Sequence, residues 1–324
     1  MARDVSLIIP SKDNEKNILK LVLGIMSWEE VPNEIIVIDS SKKKIELPEE
    51  FEIFLDRCNI KLEVIHGEKF YPGHARNIGI EKSENSLVAF LDTSTHPSNS
   101  WLSCCLEVIE LKDCEGVWGN TYYLANTYLK KIFRACSYGS APVQTLPGSV
   151  FKKDIFNKCG LFIQGSRAGE DGDWMCRVRL HEINMACSEE LLSYDELNNY
   201  SIKDLVKKWF RNYKHAARLP YFRAHKDFYY YTISFTTILL AFNWNRVITS
   251  WDSNNILYIP NITTGIILLL SFCYILIRGI ALPLKKGVKL SFILPVNFLL
   301  ITLMSALLDL TKAIAFGYSR LVDK

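Results

Sequence analysis

Two groups of acidic side chains, distant in the sequence, have the surroundings of a catalytic site. Asp92 follows the apolar run Leu87–Leu91, which has the length of a buried strand, and a polar turn comes after it. Glu170 and Asp171 lie between glycines, just before a predicted helix that starts at Trp174. A carboxylate in such a place can bind a cation or accept a proton as a general base. The alternatives are turn capping by Asp92 and capping of the helix N-terminus by the acidic cluster.

The first 90 residues alternate between strand and helix patterns, which predicts an α/β fold with a parallel sheet. Asp39 and Asp92 are the last residues of the second and fourth predicted strands. Because ligands bind at the carboxyl ends of strands in such sheets, we expect both side chains at the ligand-binding edge. The predicted strands are Val5–Pro10, Glu34–Asp39, Lys61–Ile65 and Leu87–Asp92, with helices near Ile18–Ile25, Glu49–Asn59 and Gly73–Ile80.

Composition and charge narrow the class of protein. The 324 residues suffice for one sizeable domain and a smaller region, and a formal net charge of +3 is too small to indicate nucleic-acid binding by itself. The nine cysteines form no C-x-x-C pair, which favours reduced core cysteines over a structural zinc site. The sequence begins without the long apolar stretch of a cleaved signal peptide, so we expect the N-terminal domain to stay in the cytoplasm.

Several blocks of the sequence resemble inverting family 2 glycosyltransferases, which have the GT-A fold. These blocks are Ile8–Glu15, Glu34–Ser40 and Ala75–Ile80, and the variant Phe70–Asn77 is similar to the rhamnosyltransferase-like branch of that family. The resemblance covers about residues 5–215, with the blocks in the right order. It implies an α/β domain of GT-A type, with a Rossmann-like, mixed and mostly parallel sheet flanked by helices. It also implies transfer of a sugar from a nucleotide-sugar donor.

The resemblance implies roles for individual residues. Asp171 would be the general base that takes the proton of the acceptor hydroxyl, with Glu170 as its neighbour and alternative. We assign Asp173 to capping of the helix instead. The residues expected to bind the nucleotide-sugar are Pro10, Ser11, Asp13, Glu15, Asp39, Arg76, Asp92, Trp209 and Arg211.

The metal-binding motif of the family is incomplete in this sequence. Asp92 corresponds to the first aspartate of the D-x-D motif, but Ser94 stands where the second aspartate would be. A divalent cation prefers two or more carboxylate or phosphate oxygens. Mg²⁺ or Mn²⁺ could still bind through Asp92, the diphosphate and water. His96 is a further candidate ligand, and a solvated loop residue is the alternative for it.

The C-terminal part of the sequence indicates membrane attachment. Residues 201–227 combine basic side chains with apolar ones at helical spacing, as in amphipathic helices on anionic membranes. Three apolar runs follow at 228–244, 259–277 and 290–308, each close to the roughly 20 residues that span a bilayer. The predicted domains are 1–200 for the GT-A domain, 201–227 for the interface helices and 228–324 for the transmembrane region.

The distribution of basic residues predicts an orientation in the membrane. By the positive-inside rule, the segment 201–226 and the loop Lys285–Lys289 would be cytoplasmic, and the C-terminus would be on the far side. Asp309 and Lys312 are three residues apart and could pair near the outer end of the last run. The sequence thus predicts a multi-pass protein of the cell membrane with a cytoplasmic catalytic domain. A pair of re-entrant or interfacial helices is the alternative to three spans.

Together these patterns predict a membrane-anchored glycosyltransferase that acts on a lipid-linked or glycan acceptor. A polyprenyl phosphate is the alternative acceptor. A non-catalytic GT-A scaffold in a glycan-assembly complex is the alternative function that Ser94 suggests. A nucleotidyltransferase is disfavoured, because no glycine-rich phosphate loop follows the first strand. The expected partners are the nucleotide-sugar donor, the acceptor, membrane lipids and a second copy of this chain, with no nucleic acid.

Overall fold

The computed structural model of the 324-residue chain describes residues 4–68, 70–220, 245, 248–258 and 261–322. These residues form two compact units. The first unit contains the described residues up to Leu124, Pro142–Asn199 and Arg218–Pro220. The second contains Ala125–Ala141, Tyr200–Ala217 and the described residues beyond 244. The predicted apolar run 228–244 lies outside the described residues.

The first unit is an eight-stranded mixed sheet with helices packed on it. Its strands are β1 Val5–Ser11, β2 Glu34–Asp39, β3 Lys61–His66, β4 Leu87–Phe90, β5 Thr95–His96, β6 Gly116–Tyr123, β7 Val143–Lys152 and β8 Met185–Tyr194. Its helices are α1 Glu15–Ile25, α2 Glu49–Cys58, α3 Pro72–Lys82, α4 Trp101–Leu111, α6 Ile155–Cys159, α7 Glu170–Leu180 and α8 Glu196–Asn199. The strand order is β3-β2-β1-β4-β7-β6-β8-β5, with β1 to β4 parallel and β7 antiparallel to β4 and β6. The predicted α/β class is therefore confirmed.

The parallel strands β1, β2 and β4 are buried on both faces, which explains their continuous apolar sequences, whereas β3 at the edge of the sheet is more exposed. Along β1, Leu7 and Ile9 face one apolar cluster, whereas Ile8 faces another on the opposite side of the sheet. The register pairs Ser11 with Asp39, so β1 and β2 end at the same edge. This is the edge at which the sequence predicts the ligand-binding carboxylates.

Helix α3 approaches the sheet closely because it carries a glycine where it crosses β1. A Cβ built on Gly79 would overlap the side chain of Ile8. Pro72 starts the helix, since its missing N–H would have no partner in a first turn. The close approach sets the distance between α3 and the sheet, and with it the position of Arg76 in the middle of the helix.

The described part of the second unit is helical, without strands. Its helices are α5 Tyr128–Cys136, α9 Ile202–Ala216, α10 Asn261–Ile275, α11 Leu282–Lys285, α12 Leu290–Ile293 and α13 Asn297–Val322, and a π-helical segment, Leu276–Ala281, joins α10 to α11. Although α5 lies in the connection between β6 and β7, it packs against α13. The sequence did not indicate this grouping, because the two helices are far apart along the chain.

The loop after α11 is fixed to the loop after α5 by hydrogen bonds. The N–H groups of Ser140 and Ala141 both donate to the carbonyl of Lys286 at 2.8 Å. The ammonium group of Lys286 donates to the carbonyl of Ser137 at 2.5 Å. The basic loop predicted at Lys285–Lys289 is therefore bound to protein on one side.

Helix α13 has an apolar exposed face, and its buried face carries polar side chains among apolar ones such as Ile301 and Leu308. Ser305, Asp309 and Lys312 are buried within the unit. The exposed face is rich in leucine, and its members include Leu299, Leu303, Leu307, Ile314 and Leu321. An amphipathic helix in water has the reverse distribution, so α13 is suited to apolar surroundings.

Two stretches of helix among the described residues are long and apolar enough to cross a membrane, judged by length and composition. Leu268–Lys285 has 18 residues and Asn297–Ser319 has 23. At 1.5 Å per residue they are about 27 Å and about 35 Å long. Both begin later than the predicted runs 259–277 and 290–308. For the second, the reason is Pro295, which cannot lie inside a helix, so α13 begins after it.

Asp309 pairs with Arg278 rather than with the predicted Lys312. Arg278 Nη2 donates to Asp309 Oδ1 at 2.6 Å, and the Tyr274 hydroxyl donates to Oδ2 at 2.8 Å. The ammonium group of Lys312 lies 4.8 Å from the ring centroid of Tyr213 on α9. The observed pair joins two helices, because the buried face of α13 directs Asp309 toward the π-helical segment.

We expect Gly79→Ala to lower the free energy of unfolding by about 1–3 kcal/mol, because the added methyl group overlaps Ile8 between α3 and β1. Gly24 in α1 offers a matched control, since nothing lies within 4 Å of its built Cβ. Gly24→Ala should be neutral or stabilising by about 0.5–1 kcal/mol. Thermal unfolding in detergent, followed by circular dichroism, measures both. Equal effects of the two substitutions would contradict the close packing of α3.

Candidate active site

Arg76 on α3 joins the two acidic groups that the sequence singles out. Its Nη2 group donates to Asp92 Oδ1 at 3.0 Å, and its Nη1 group donates to Glu170 Oε1 at 2.8 Å. Arg76 is 5% exposed, so both ion pairs are shielded from water. Burial opposes the charge of the guanidinium, but Asp92, Glu170 and Asp171 together raise its pKa, so it stays protonated. The fold thus brings together side chains from three separate elements.

Helix α3 holds this arrangement through two further residues. A Cβ on Gly73 would lie 2.6 Å from the carbonyl oxygen of Ile163 and 3.1 Å from Glu170 Cγ, so glycine permits the close approach of Glu170. The side-chain amide of Asn77 donates to the carbonyl of Phe162 and accepts from its N–H, both at 2.9 Å. These two hydrogen bonds attach the segment before α7 to helix α3.

Asp92 lies just beyond β4, which ends at Phe90. The Tyr194 hydroxyl, at the end of β8, donates to Asp92 Oδ2 at 3.2 Å, so each oxygen of this carboxylate has a donor. The side chain of Asp92 is nevertheless 28% exposed, and a ligand can reach it. Sequence reasoning missed Tyr194, because its contact with Asp92 depends on the strand order of the sheet.

Tyr123 lies beside Tyr194, because β6 and β8 are in register at these residues. The two rings meet edge to face, with centroids 5.2 Å apart. Burial, followed by the charges of Asp171 and Asp92, raises the pKa of the Tyr123 hydroxyl. This hydroxyl is therefore neutral at physiological pH, close to both acidic groups.

Glu170 and Asp171 occupy the first turn of α7, where the helix dipole favours negative charge. Burial, reinforced by the charge of Asp171, raises the pKa of Glu170 to about 7, although Arg76 acts in the opposite direction. Glu170 Oε2 has no hydrogen-bond partner among the described residues. Asp171 is partly exposed, and its Oδ1 accepts from the N–H of Gly172 at 2.7 Å. This geometry favours Asp171 as the group that meets a substrate and Glu170 as its internal partner.

Asp173 forms a structural contact, but it is not the helix cap assigned from the sequence, because Gly169 is the N-cap residue and no side chain caps α7. Its Oδ2 accepts from Arg177 Nε at 3.0 Å, one turn further along α7. The same guanidinium donates to the carbonyls of Cys159 and Leu161, which precede α7. Asp173 therefore stabilises the start of the helix through Arg177.

The predicted nucleotide-binding residues of β1 and β2 lie close to one another. The N–H of Asp13 donates to the Ser41 hydroxyl at 2.7 Å. Asp39 is fully buried, and its carboxylate accepts from the N–H groups of Ser41 and Ile45. Its Oδ2 also lies 3.0 Å from His66 Nδ1. In this arrangement Asp39 shapes the loop after β2, and its part in nucleotide binding stays a prediction.

The remaining predicted residues are divided between the two units. Pro10 and Ser11 end β1, and Glu15 begins α1. Trp209 and Arg211 lie on α9 in the second unit, where the Trp209 ring packs edge-on against an aromatic ring of α5 at 6.0 Å between centroids. Their binding roles also stay predictions.

The side chains present do not form a divalent-metal site by themselves. Asp92 Oδ1 and Oδ2 already accept hydrogen bonds. The Ser94 hydroxyl accepts from the side-chain amides of Asn14 at 3.4 Å and Asn17 at 3.1 Å. In the part of the chain that the structure describes, no three His, Cys, Asp or Glu side chains are grouped so that they could hold a metal ion. Because Mg²⁺ and Mn²⁺ prefer several oxygen ligands, one carboxylate shared with an arginine does not fit them.

We expect Glu170→Gln to remove a pH dependence of stability. The pKa of Glu170 is raised from 4.5 to about 7 in the folded chain. Between these values the folded state binds more protons than the unfolded state, so stability falls as the pH rises. Thermal unfolding between pH 4.5 and 7 should show a smaller fall for Glu170→Gln. Glu189 is exposed, so Glu189→Gln serves as the control. Its stability should fall with rising pH as much as that of the unmodified chain. An equal fall in both variants would contradict the buried charge of Glu170.

Comparison with known proteins agrees with this geometry. Residues 6–158 match the profile of the family described as Glycosyl transferase family 2. Glycosyltransferase AglE from Haloferax volcanii is 27% identical over 164 residues, which cover 49% of this chain and 52% of that protein. The pre-mycofactocin glycosyltransferase of Mycobacterium tuberculosis is 30% identical over 105 residues, or 32% of this chain and 20% of that protein. The match thus spans about half or less of the length of these curated relatives.

A solved structure shows the same fold. The mannosyltransferase PcManGT from Pyrobaculum calidifontis, in complex with GDP-Man and Mn²⁺, has a TM-score of 0.51 at 13% identity, and the superposition covers 100% of this chain and 90% of that one. The predicted GT-A type of fold is confirmed, whereas the rhamnosyltransferase-like branch stays a prediction. Residues 6–158 contain Arg76, Asp92 and the paired ends of β1 and β2. The N-terminal part of this chain is therefore a family 2 glycosyltransferase domain.

Proposed function

We propose that this chain is a membrane-anchored glycosyltransferase that moves a sugar from a nucleotide-sugar donor to a lipid-linked or glycan acceptor, with inversion at the anomeric carbon. The convergence of Asp92 and Glu170 on Arg76 carries this proposal. Asp92 stands at the edge of the sheet where a donor would bind. Asp171 follows Glu170 and is the partly exposed carboxylate that an acceptor would meet.

Inversion requires one base and no covalent intermediate on the enzyme. Asp171 accepts the proton of the acceptor hydroxyl while that oxygen forms its bond to the anomeric carbon. The bond between the anomeric carbon and the phosphate oxygen breaks, and the nucleoside diphosphate leaves with the electron pair.

The donor class is supported by the family match and by the strand ends. Asp13 and Ser41 are linked at 2.7 Å where β1 and β2 end, and open α/β sheets bind ligands at this place. The Pyrobaculum calidifontis enzyme with the same fold is described in complex with GDP-Man and Mn²⁺. A nucleoside diphosphate-linked sugar is accordingly the donor that we propose. The need for Mg²⁺ or Mn²⁺ stays a prediction, since Ser94 replaces the second carboxylate of the motif.

The acceptor class is supported by the helices of the second unit. Leu303 and Leu307 on α13 are exposed, whereas Asp309 is buried, as expected of a helix in lipid. A transferase attached to such helices meets acceptors that are themselves held in the bilayer. We therefore infer a saccharide on a lipid carrier, or the phosphate of a polyprenyl lipid, with the catalytic domain in the cytoplasm.

We expect Asp171→Asn to reduce sugar transfer by about 10²–10⁴-fold, because an amide cannot accept the proton of the acceptor. Binding of the nucleotide should change little. The assay uses the purified full chain in detergent with a panel of UDP-, GDP- and dTDP-sugars. Asp173→Asn is the matched control in the same helical turn, since Asp173 serves the ion pair with Arg177. The assignment fails if both variants lose transfer to the same extent while folded.

The same donor panel tests the function as a whole. Transfer or slow hydrolysis of one nucleotide-sugar by the unmodified chain supports the proposal. No reaction with any donor, in a folded chain that still binds nucleotide, would favour the non-catalytic scaffold. Repeating the assay in EDTA tests the metal. Loss of transfer that Mn²⁺ restores would show that a cation arrives with the donor, and activity in EDTA would show that basic side chains neutralise the leaving group.

We expect the full chain to stay with membranes after an alkaline carbonate wash, and the double substitution Leu303→Lys, Leu307→Lys to weaken this attachment. Each lysine would place a charge on the lipid-facing side of α13, at a cost of about 3 kcal/mol near the bilayer centre. Leu111 and Leu180 are exposed leucines of the first unit, so Leu111→Lys with Leu180→Lys is the matched control and should leave attachment unchanged. Fractionation of cells followed by immunoblotting measures both.

A further inference from the structure

Arg76 connects the carboxylate on the donor side with the acid pair on the acceptor side. Its two Nη groups serve Asp92 at 3.0 Å and Glu170 at 2.8 Å. The Phe162 ring lies 5.8 Å from the guanidinium carbon and covers it. Arg76 Nε has no hydrogen-bond partner among the described residues. The link between Asp92 and Glu170 is therefore made by the two Nη groups alone. A buried guanidinium held in this way keeps both carboxylates at fixed positions.

The charges around Glu170 act in opposite directions. Asp171 on its own helix, together with burial, favours the protonated form of Glu170. Arg76 from α3 favours the ionised form. Asp92 faces the other end of the guanidinium and shares its positive charge. Arg76 is therefore the cation that favours the ionised form of Glu170.

We propose that Arg76 is a positioning residue for glycosyl transfer, which pairs with Glu170 and holds the acid pair at a fixed distance from Asp92. This inference rests on the proposed function. Arg76 does not touch the reacting atoms in this assignment, and it acts through Glu170 and Asp171.

Whether Glu170 is protonated or ionised affects proton transfer to the proposed base, Asp171. Two neighbouring carboxylates release their protons in two steps, and the second step comes at a higher pH than either group alone would show. Once ionised, Glu170 places a second negative charge beside the point where the proton of the acceptor arrives, which favours the transfer of that proton. Transfer should therefore increase as the pH rises through the ionisation of Glu170, near pH 7.

The first test is the pH profile of kcat for three variants of the full chain in detergent. Arg76→Gln removes the positive charge, so the midpoint of the rise should move upward by about one pH unit or more. Arg76→Lys keeps the positive charge, but an ammonium group cannot hold two carboxylates in the geometry of a guanidinium. We therefore expect a smaller upward shift of the midpoint. Lys82 is an exposed basic residue on the same helix, and Lys82→Gln is the control with an unchanged midpoint.

The second test is a rescue. Arg76→Gln leaves Glu170 buried beside Asp171 without its cation, which should lower the melting temperature and make the pH dependence of stability extend above pH 7. Adding Glu170→Gln to Arg76→Gln removes the unpaired carboxylate. The double variant should melt at a higher temperature than Arg76→Gln alone and lose the extended pH dependence.

The two readouts separate this inference from the proposed function. An unmodified chain that transfers no sugar contradicts the proposed function, and the melting measurements still decide the role of Arg76. If the unmodified chain is active, a folded Arg76→Gln variant with an unshifted kcat midpoint overturns the inference. Melting of Arg76→Gln with the pH dependence of the unmodified chain, or no rescue by Glu170→Gln, overturns it as well.

Discussion

One buried positive charge is the constraint on which the catalytic unit depends. Removing a guanidinium from water costs several kcal/mol, and the cost is offset only where carboxylates lie in good geometry. Arg76 meets this condition with Asp92 after β4 and Glu170 in α7. The end of one strand and the beginning of a distant helix are therefore held together by a single side chain of α3. Gly73 and Asn77 on the same helix bring the surrounding backbone close enough for both ion pairs to form.

The same interaction engages the oxygens that the metal motif of the family would use. Its two oxygens accept from Arg76 and Tyr194, and the Ser94 hydroxyl accepts from the amides of Asn14 and Asn17. Each oxygen that the family motif would offer to a cation has a hydrogen-bond donor here instead. The oxygens of Asp92 and Ser94 thus belong to a network of hydrogen bonds.

The second unit distributes its side chains differently from the first. Ser305 and Asp309 lie inside, and Leu299 and Leu303 lie outside. Arg278 and Asp309 pair within this unit, so each of the two charges has an opposite charge beside it. The same chain therefore has an apolar core in one unit and an apolar surface in the other.

The sequence alone determined the elements and their chemical types. Continuous apolar runs predicted β1, β2 and β4, and local motifs pointed to Asp92 and Asp171, because strand burial and short motifs depend on neighbours along the chain. Only the tertiary structure decided which side chains meet. The bridge from Arg76 to Asp92 and Glu170, the contact of Tyr194 with Asp92 and the pairing of Asp309 with Arg278 all join residues from separate elements. Such contacts depend on strand order, register and helix packing, which are set by the collective burial of the whole chain and leave no local signature in the sequence.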